Sequence, residues 1–190
     1  MPDHITPEGV IEGYGSVFGN IDSYGDVVVK GAFAKSLSAW SAKGRLPRML
    51  WQHSSNQPIG VWDEMAEDDK GLRVKGRLLL GVPRADEALL LLRGKAIDGL
   101  SIGYDVVEEK RDGVVNRLLA IDLREVSVVT DPANDLALVD SVKARAEEIA
   151  AKLRAGEVPT IREFEGFLRD AGFSKAVAAG IAAVGYQKGV

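Results

Sequence analysis

A chain of 190 residues, 46% hydrophobic and 27% charged, is long enough to bury one substantial core and carry a smaller appendage. It contains no cysteine, which excludes disulfides, thiol nucleophiles and cysteine-based metal sites. A formal charge of -4 at pH 7 and a pI near 5.3 argue against a broad electrostatic grip on nucleic acid and point to protein or small-molecule partners.

A soluble globular protein is the default expectation. No apolar stretch reaches the roughly 20 residues that cross a bilayer; the longest candidate, ALLLLR from Ala88, is bounded by charge on both sides. The start, MPDHITPEGV, lacks the basic-then-apolar order of a secretory signal. The cytoplasm is the expected compartment, with neither a membrane nor a nucleic acid as partner.

In chain order, Val10 to Phe18 carries β-formers and NIDSYGD (Asn20 to Asp26) is rich in turn residues ahead of VVVK, Val27 to Lys30. GAFAKSLSAWSAKG predicts a helix: Phe33, Leu37 and Trp40 fall on one face, and Gly44 is suited to ending it. IGVWDEMAED and LRVKGRLLL, joined by DDKG (Asp68 to Gly71), read as a hairpin. Arg84 to Gly94 reads as a short helix with Leu89 and Leu92 inward.

GLSIGYDVVEEK alternates, with Leu100, Ile102, Tyr104 and Val106 on one face, and VVNRLLAIDLREVSVV returns after a turn at Arg111 to Gly113. Period and turn chemistry make this a second hairpin. After TDPAND (Thr130 to Asp135), Leu138, Val142, Ile149 and Leu153 recur at helical spacing. TIREFEGFLRDAG opens on a capping box, Thr160 with Glu163, and SKAVAAGIAAVG is Ala-rich. A β-rich domain over 1–135 and a helical arm and tail over 136–190 are therefore expected.

GLSIG, Gly99 to Gly103, is a literal G-x-S-x-G. It does not read as a hydrolase nucleophile elbow, because a strand follows Ser101 and no histidine occurs after His53, whereas that motif needs a helix and a downstream histidine. A nucleophile at Ser101 has to take its base from upstream. A serine hydroxyl needs a base to accept its proton, which an imidazole does near neutral pH, and a third group must hold the ring's tautomer.

With the second hairpin idealised about Asp112, Ser101 faces Leu123 and Glu125 faces Gly99. Glu125 then lies diagonal to Ser101 on one sheet face, about 7 to 8 Å away, and an imidazole from the His53 loop fits between them. A slip by one residue would favour Asp122 or Arg124 instead. Other readings stand beside this one. A strand serine between glycines is commonly structural, and a histidine at a strand end is commonly a packing or surface residue. As a metal ligand, His53 has only His4 as a partner histidine, and Glu125 could merely pair with Arg124 or Lys110.

Four segments in order, GYGSVFGNIDSYGDVVVKGAF, MLWQHSSNQPIGVW, KAIDGLSIGYDVVEEK and LREVSVVTDPANDLALV, followed by the tail REFEGFLRDAGFSKAVAAGIAA, resemble the caudoviral prohead protease family of the HK97 type. The resemblance implies an α+β fold related to the herpesvirus assemblins, with a mostly antiparallel β-barrel-like body, surrounding helices and a C-terminal helical tail. It implies a serine endopeptidase, without cofactor or metal, in which His53 matches the family's histidine, Ser101 its serine and Glu125 its acidic position.

The implied substrates are the major capsid protein precursor or a scaffold segment, and the protease itself, with RAGEVPT (Arg154 to Thr160) as a candidate self-cleavage site. The implied location is the interior of the procapsid in the host cytoplasm, and a homo-oligomer stays open. The rival reading is a non-catalytic capsid assembly or scaffolding protein that keeps the fold without the reactivity.

Overall fold

Alternating apolar and β-branched residues build a curled mixed sheet in the computed structural model of the chain, which describes residues 9–143, 149, 152, 154–170, 173 and 175–185. Its strands are β1 (Val10–Val17), β2 (Asp26–Val28), β3 (Arg48–Trp51), β4 (Ser54–Glu67), β5 (Gly71–Leu78), β6 (Gly99–Asp112), β7 (Val115–Val129) and β8 (Val139–Lys143). The sheet runs β2-β7-β3-β4-β5-β1-β8, with β6 paired to β7. The β1–β5, β3–β4, β4–β5 and β6–β7 ladders are antiparallel, whereas β2 and β3 lie parallel to β7.

Strand β7 organises this sheet. Strand β6 runs along one of its edges; β2 and β3 share the other, at Asn116–Leu118 and Glu125–Val128. Both faces of β7 carry buried residues, including Leu118, Ile121, Leu123, Val126 and Val128. They join Ile11, Met49, Ile59, Leu72, Val74 and Leu100 in one core, where each large aliphatic side chain contributes about 1.5 to 3 kcal/mol by leaving water.

Two helices cover this core. Helix α1 (Ala34–Ala42) follows the fully buried Phe33 and stops before Gly44, whose φ of 65° is the left-handed conformation that ends helices. The helix is tied to β7: Trp40 Nε1 donates to the Leu123 carbonyl at 2.8 Å, and Ser36 Oγ accepts the Leu123 N–H at 2.9 Å. Helix α2 (Pro83–Arg93) starts on proline and buries Ala85, Ala88, Leu89 and Leu92, the inward face that its spacing predicts.

Two expectations change. The β6–β7 turn is Gly113-Val114, between the paired Asp112 and Val115, with Gly113 at φ 65°; it does not centre on Asp112. Three register irregularities along the ladder add to this offset, so Ser101 faces Ser127 where the idealised hairpin puts Leu123. Second, Val139–Lys143 is strand β8 and extends the sheet beyond residue 135. Leu138 and Val142 are four apart, and an even spacing places residues on one face of a strand as well as of a helix. The spacing alone does not separate the two. The expected continuation through Leu153 falls largely outside the described residues.

Contacts divide the chain into two compact units, Val10–Val142 and the residues flanking it. In the second unit, α3 (Ile161–Asp170) and α4 (Lys175–Gly185) bury Leu168, Ala178 and Ala182 against Phe164 and Phe167. The capping box forms: Thr160 N–H donates to Glu163 Oε2 at 2.7 Å and Glu163 N–H to Thr160 Oγ1 at 3.2 Å. No helix among the described residues is long and apolar enough to cross a membrane.

Candidate active site

The site begins with a tight turn. Trp51 pairs with Ser54 at the end of the β3–β4 hairpin, leaving Gln52 and His53 as a two-residue loop with φ of 50° and 58°. Positive φ at both central positions matches the right-handed twist of a hairpin, yet Asn and Gly normally fill them. Two ordinary side chains are held there by β7 and the residue that follows it. Gln52 N–H donates to the Val128 carbonyl at 3.0 Å, Gln52 Nε2 to Thr130 Oγ1 at 2.8 Å, and His53 N–H to Ser127 Oγ at 3.1 Å.

The imidazole is thereby delivered to Glu125. His53 Nδ1 lies 2.6 Å from Glu125 Oε1. The histidine side chain is 45% exposed and the carboxylate 10%, so a solvent-facing ring rests on a largely desolvated anion. The other carboxylate oxygen, Oε2, accepts from Ser127 Oγ at 2.5 Å. The rival pairings of Glu125 with Arg124 or Lys110 are not formed among the described residues. Arg124 sits at the surface and pairs with Asp105 and Asp122, facing away from this site by the alternation of β7.

Ser101 reaches the same place from β6. It pairs with Ser127, and Gly103 pairs with Glu125; directly paired residues share a sheet face, so Ser101, Gly103, Glu125 and Ser127 form one patch. The register runs four residues further along β7 than the idealised hairpin does. Four is even, so the face is kept, and Glu125 remains diagonal to Ser101 on its other side. Ser101 is 8% exposed, and no hydrogen bond joins its hydroxyl to the His53 ring among the described residues.

His53 and Ser101 line a single cleft of about 390 Å³, together with Gly15, Ser16, Asp22, Asp26, Tyr104 and others. Burial pushes the Asp22 carboxyl above its ordinary range. Burial, with Asp26 and Asp22 nearby, also raises the Tyr104 hydroxyl far above its ordinary range, and this hydroxyl donates to Asp26. His4 lies outside the described residues.

Ser127 is absent from the residues that sequence reasoning singles out, and Gly103 enters it only as the end of the G-x-S-x-G motif, with no role beside Glu125. A signal for Ser127 exists: two residues after Glu125 on a strand is the same face. Gly103 as the partner of Glu125 requires the true register, which the idealised turn misplaces.

A family model described as the caudovirus prohead serine protease matches residues 3–152. The chain belongs to that family. It is 35% identical over 181 residues to the prohead protease of Enterobacteria phage HK97, covering 93% of this chain and 75% of that one. It is also 36% identical over 130 residues to the capsid polyprotein of Pseudomonas phage PAJU2, covering 64% of this chain and spanning 20% of the polyprotein. Among solved structures it resembles the capsid assembly protease gp21 of bacteriophage T4, at 12% identity and a TM-score of 0.56, over 65% of this chain and 82% of that one. At that identity the likeness speaks for the fold alone. The family agrees with the resemblance drawn from the four sequence segments, and the curled sheet with its helices is the expected fold class.

Proposed function

We propose that this prohead protease is a serine endopeptidase whose nucleophile, base and orienting acid are Ser101, His53 and Glu125. The observation that carries the reading is the 2.6 Å contact between His53 Nδ1 and Glu125 Oε1, in a cleft that Ser101 also lines. With Nδ1–H committed to the carboxylate, Nε2 is the ring nitrogen left to accept a proton. The ring's exposure leaves it free to meet Ser101 as substrate closes the cleft, a contact that resting enzymes often hold long.

In the proposed reaction His53 Nε2 takes the Ser101 proton as Oγ bonds the scissile carbonyl carbon. The imidazolium, stabilised by Glu125, then gives that proton to the departing amine. A water molecule repeats the sequence on the acyl-serine, releasing the carboxylic acid and restoring the hydroxyl. No group beyond the chain's own residues is required.

The substrate we propose is the major capsid protein precursor or a scaffold segment, and the chain itself between Arg154 and Thr160, within the procapsid. The relatives' names support that choice, one being a prohead protease and another a capsid polyprotein. Co-expression with the capsid precursor tests the reading: wild type is expected to yield the trimmed product on a gel, and Ser101→Ala the intact precursor. A serine-directed phosphonate is expected to label wild type at Ser101. Full processing by Ser101→Ala would overturn the assignment, and an intact precursor with both chains would favour a non-catalytic assembly protein.

A further inference from the structure

Ser127 uses its hydroxyl twice, once on the proposed orienting acid and once on the proposed base. As a donor it reaches Glu125 Oε2 at 2.5 Å; as an acceptor it takes the His53 N–H at 3.1 Å. Glu125 Oε1 meets His53 Nδ1 at 2.6 Å, so hydroxyl, carboxylate, imidazole and the histidine's own backbone close a ring. Ser127 is fully buried and stands directly across the ladder from Ser101.

The ring answers two physical needs. A carboxylate on a flexible side chain has several rotamers, and only one presents Oε1 to the imidazole. The bond to Oε2 selects it. His53 also sits at φ 58°, a conformation that non-glycine residues adopt only when surrounding contacts impose it. The bond to its N–H imposes it on the histidine itself, while the Gln52 contacts with Val128 and Thr130 anchor the residue before it. Any buried hydroxyl needs a partner, since leaving it unpaired is costly; this one has two, and both lie on the histidine and the carboxylate.

We propose that Ser127 is a positioning residue: it fixes the Glu125 rotamer and the His53 backbone together, so that Nδ1 keeps its proton and Nε2 is offered to Ser101. The inference rests on the peptidase reading for its consequence in rate, though not for its consequence in ring tautomer.

The test compares Ser127→Ala with Ser127→Thr, which retains a hydroxyl on the same β-carbon. The alanine variant is expected to lose about 10- to 100-fold in kcat through a sub-ångström to 1 Å misplacement of the base, with KM for a capsid-derived peptide little changed. The threonine variant is expected to keep most of the rate. In the Ser101→Ala background, nitrogen NMR of the imidazoles reads the tautomer without catalysis, and His4 is the only other ring in the sequence. There the His53 signals are expected to show a single Nδ1–H tautomer when Ser127 is intact or carries Ser127→Thr, and a mixture with Ser127→Ala.

An unchanged kcat and tautomer in Ser127→Ala would overturn the proposal, as would a threonine variant as damaged as the alanine one. Should alanine prevent folding, Ser127→Cys fills nearly the same volume with a poor donor and gives the same two readouts. Cleavage by Ser101→Ala would defeat the peptidase reading, and the tautomer spectra would still decide the role of Ser127.

Discussion

Gly103 lies directly across the ladder from Glu125, and a β-carbon added to it would overlap Glu125 Oε1. The missing side chain is the space the carboxylate occupies. The nearest obstruction is the end of a flexible side chain, so Gly103→Ala is expected to fold while Glu125 swings aside. Peptide hydrolysis should fall by about 100-fold with the circular dichroism spectrum unchanged. Wild-type turnover in that variant would separate Glu125 from the reaction.

Glu125→Gln tests charge against shape. The amide can still accept from His53 Nδ1 and meet Ser127, but it cannot stabilise an imidazolium. The expected loss is about 10²- to 10⁴-fold in kcat, with KM within a few-fold, measured by steady-state peptide hydrolysis. A small loss would indicate that orientation alone is what Glu125 supplies.

Stability should respond most sharply where β7 meets the core. Leu123 is fully buried, and Leu123→Ala is expected to cost about 2 to 5 kcal/mol in urea denaturation. At Gly76 the opposite error is costly. A β-carbon there would overlap the Val61 carbonyl oxygen and lie 2.7 Å from Trp62 and 2.8 Å from Met49, and backbone cannot yield as a side-chain tip can. Gly76→Ala is expected to cost about 1 to 3 kcal/mol or more.

The helical tail carries its own acid response. The Lys152 ammonium, then the Thr160 backbone and hydroxyl, hold the Glu163 carboxyl down at about 2, from an ordinary 4.5. A depressed carboxylate contributes stability that is whole above the ordinary value and is lost as pH falls through the lowered one. Helicity of α3 is therefore expected to stay level down to about pH 4.5 and to decline towards pH 2. Backbone amide NMR of residues 161–170 reads this directly, and Thr160→Ala, which removes the cap, should bring fraying of α3 already at neutral pH.

The sequence and the structure agree where a local period decides the outcome. The face of Phe33, Leu37 and Trp40, the inward Leu89 and Leu92, and the Thr160–Glu163 capping box are each set by residues within one or two helical turns. Glu125 falls on the face of Ser101 in both because parity survives a register error of four. What is not legible depends on long-range pairing. The register that puts Gly103 opposite Glu125 follows from the position of the Gly113-Val114 turn together with irregularities in the β6–β7 ladder, and the left-handed turn at Gln52-His53 carries none of the glycine or asparagine that normally announces one. Strand β8 is hidden for a related reason: its spacing suits either periodicity, and pairing within the sheet selects the extended form.

Strand β7 receives Ser101 from the strand on one edge and His53 from a turn on the other, and itself supplies Glu125. Residues 53 and 101 both precede the strand that brings them together. Until residue 129 has emerged and both neighbours have docked on β7, a nascent chain holds the hydroxyl, the imidazole and the carboxylate apart. Their meeting is a product of the finished sheet and of no shorter segment.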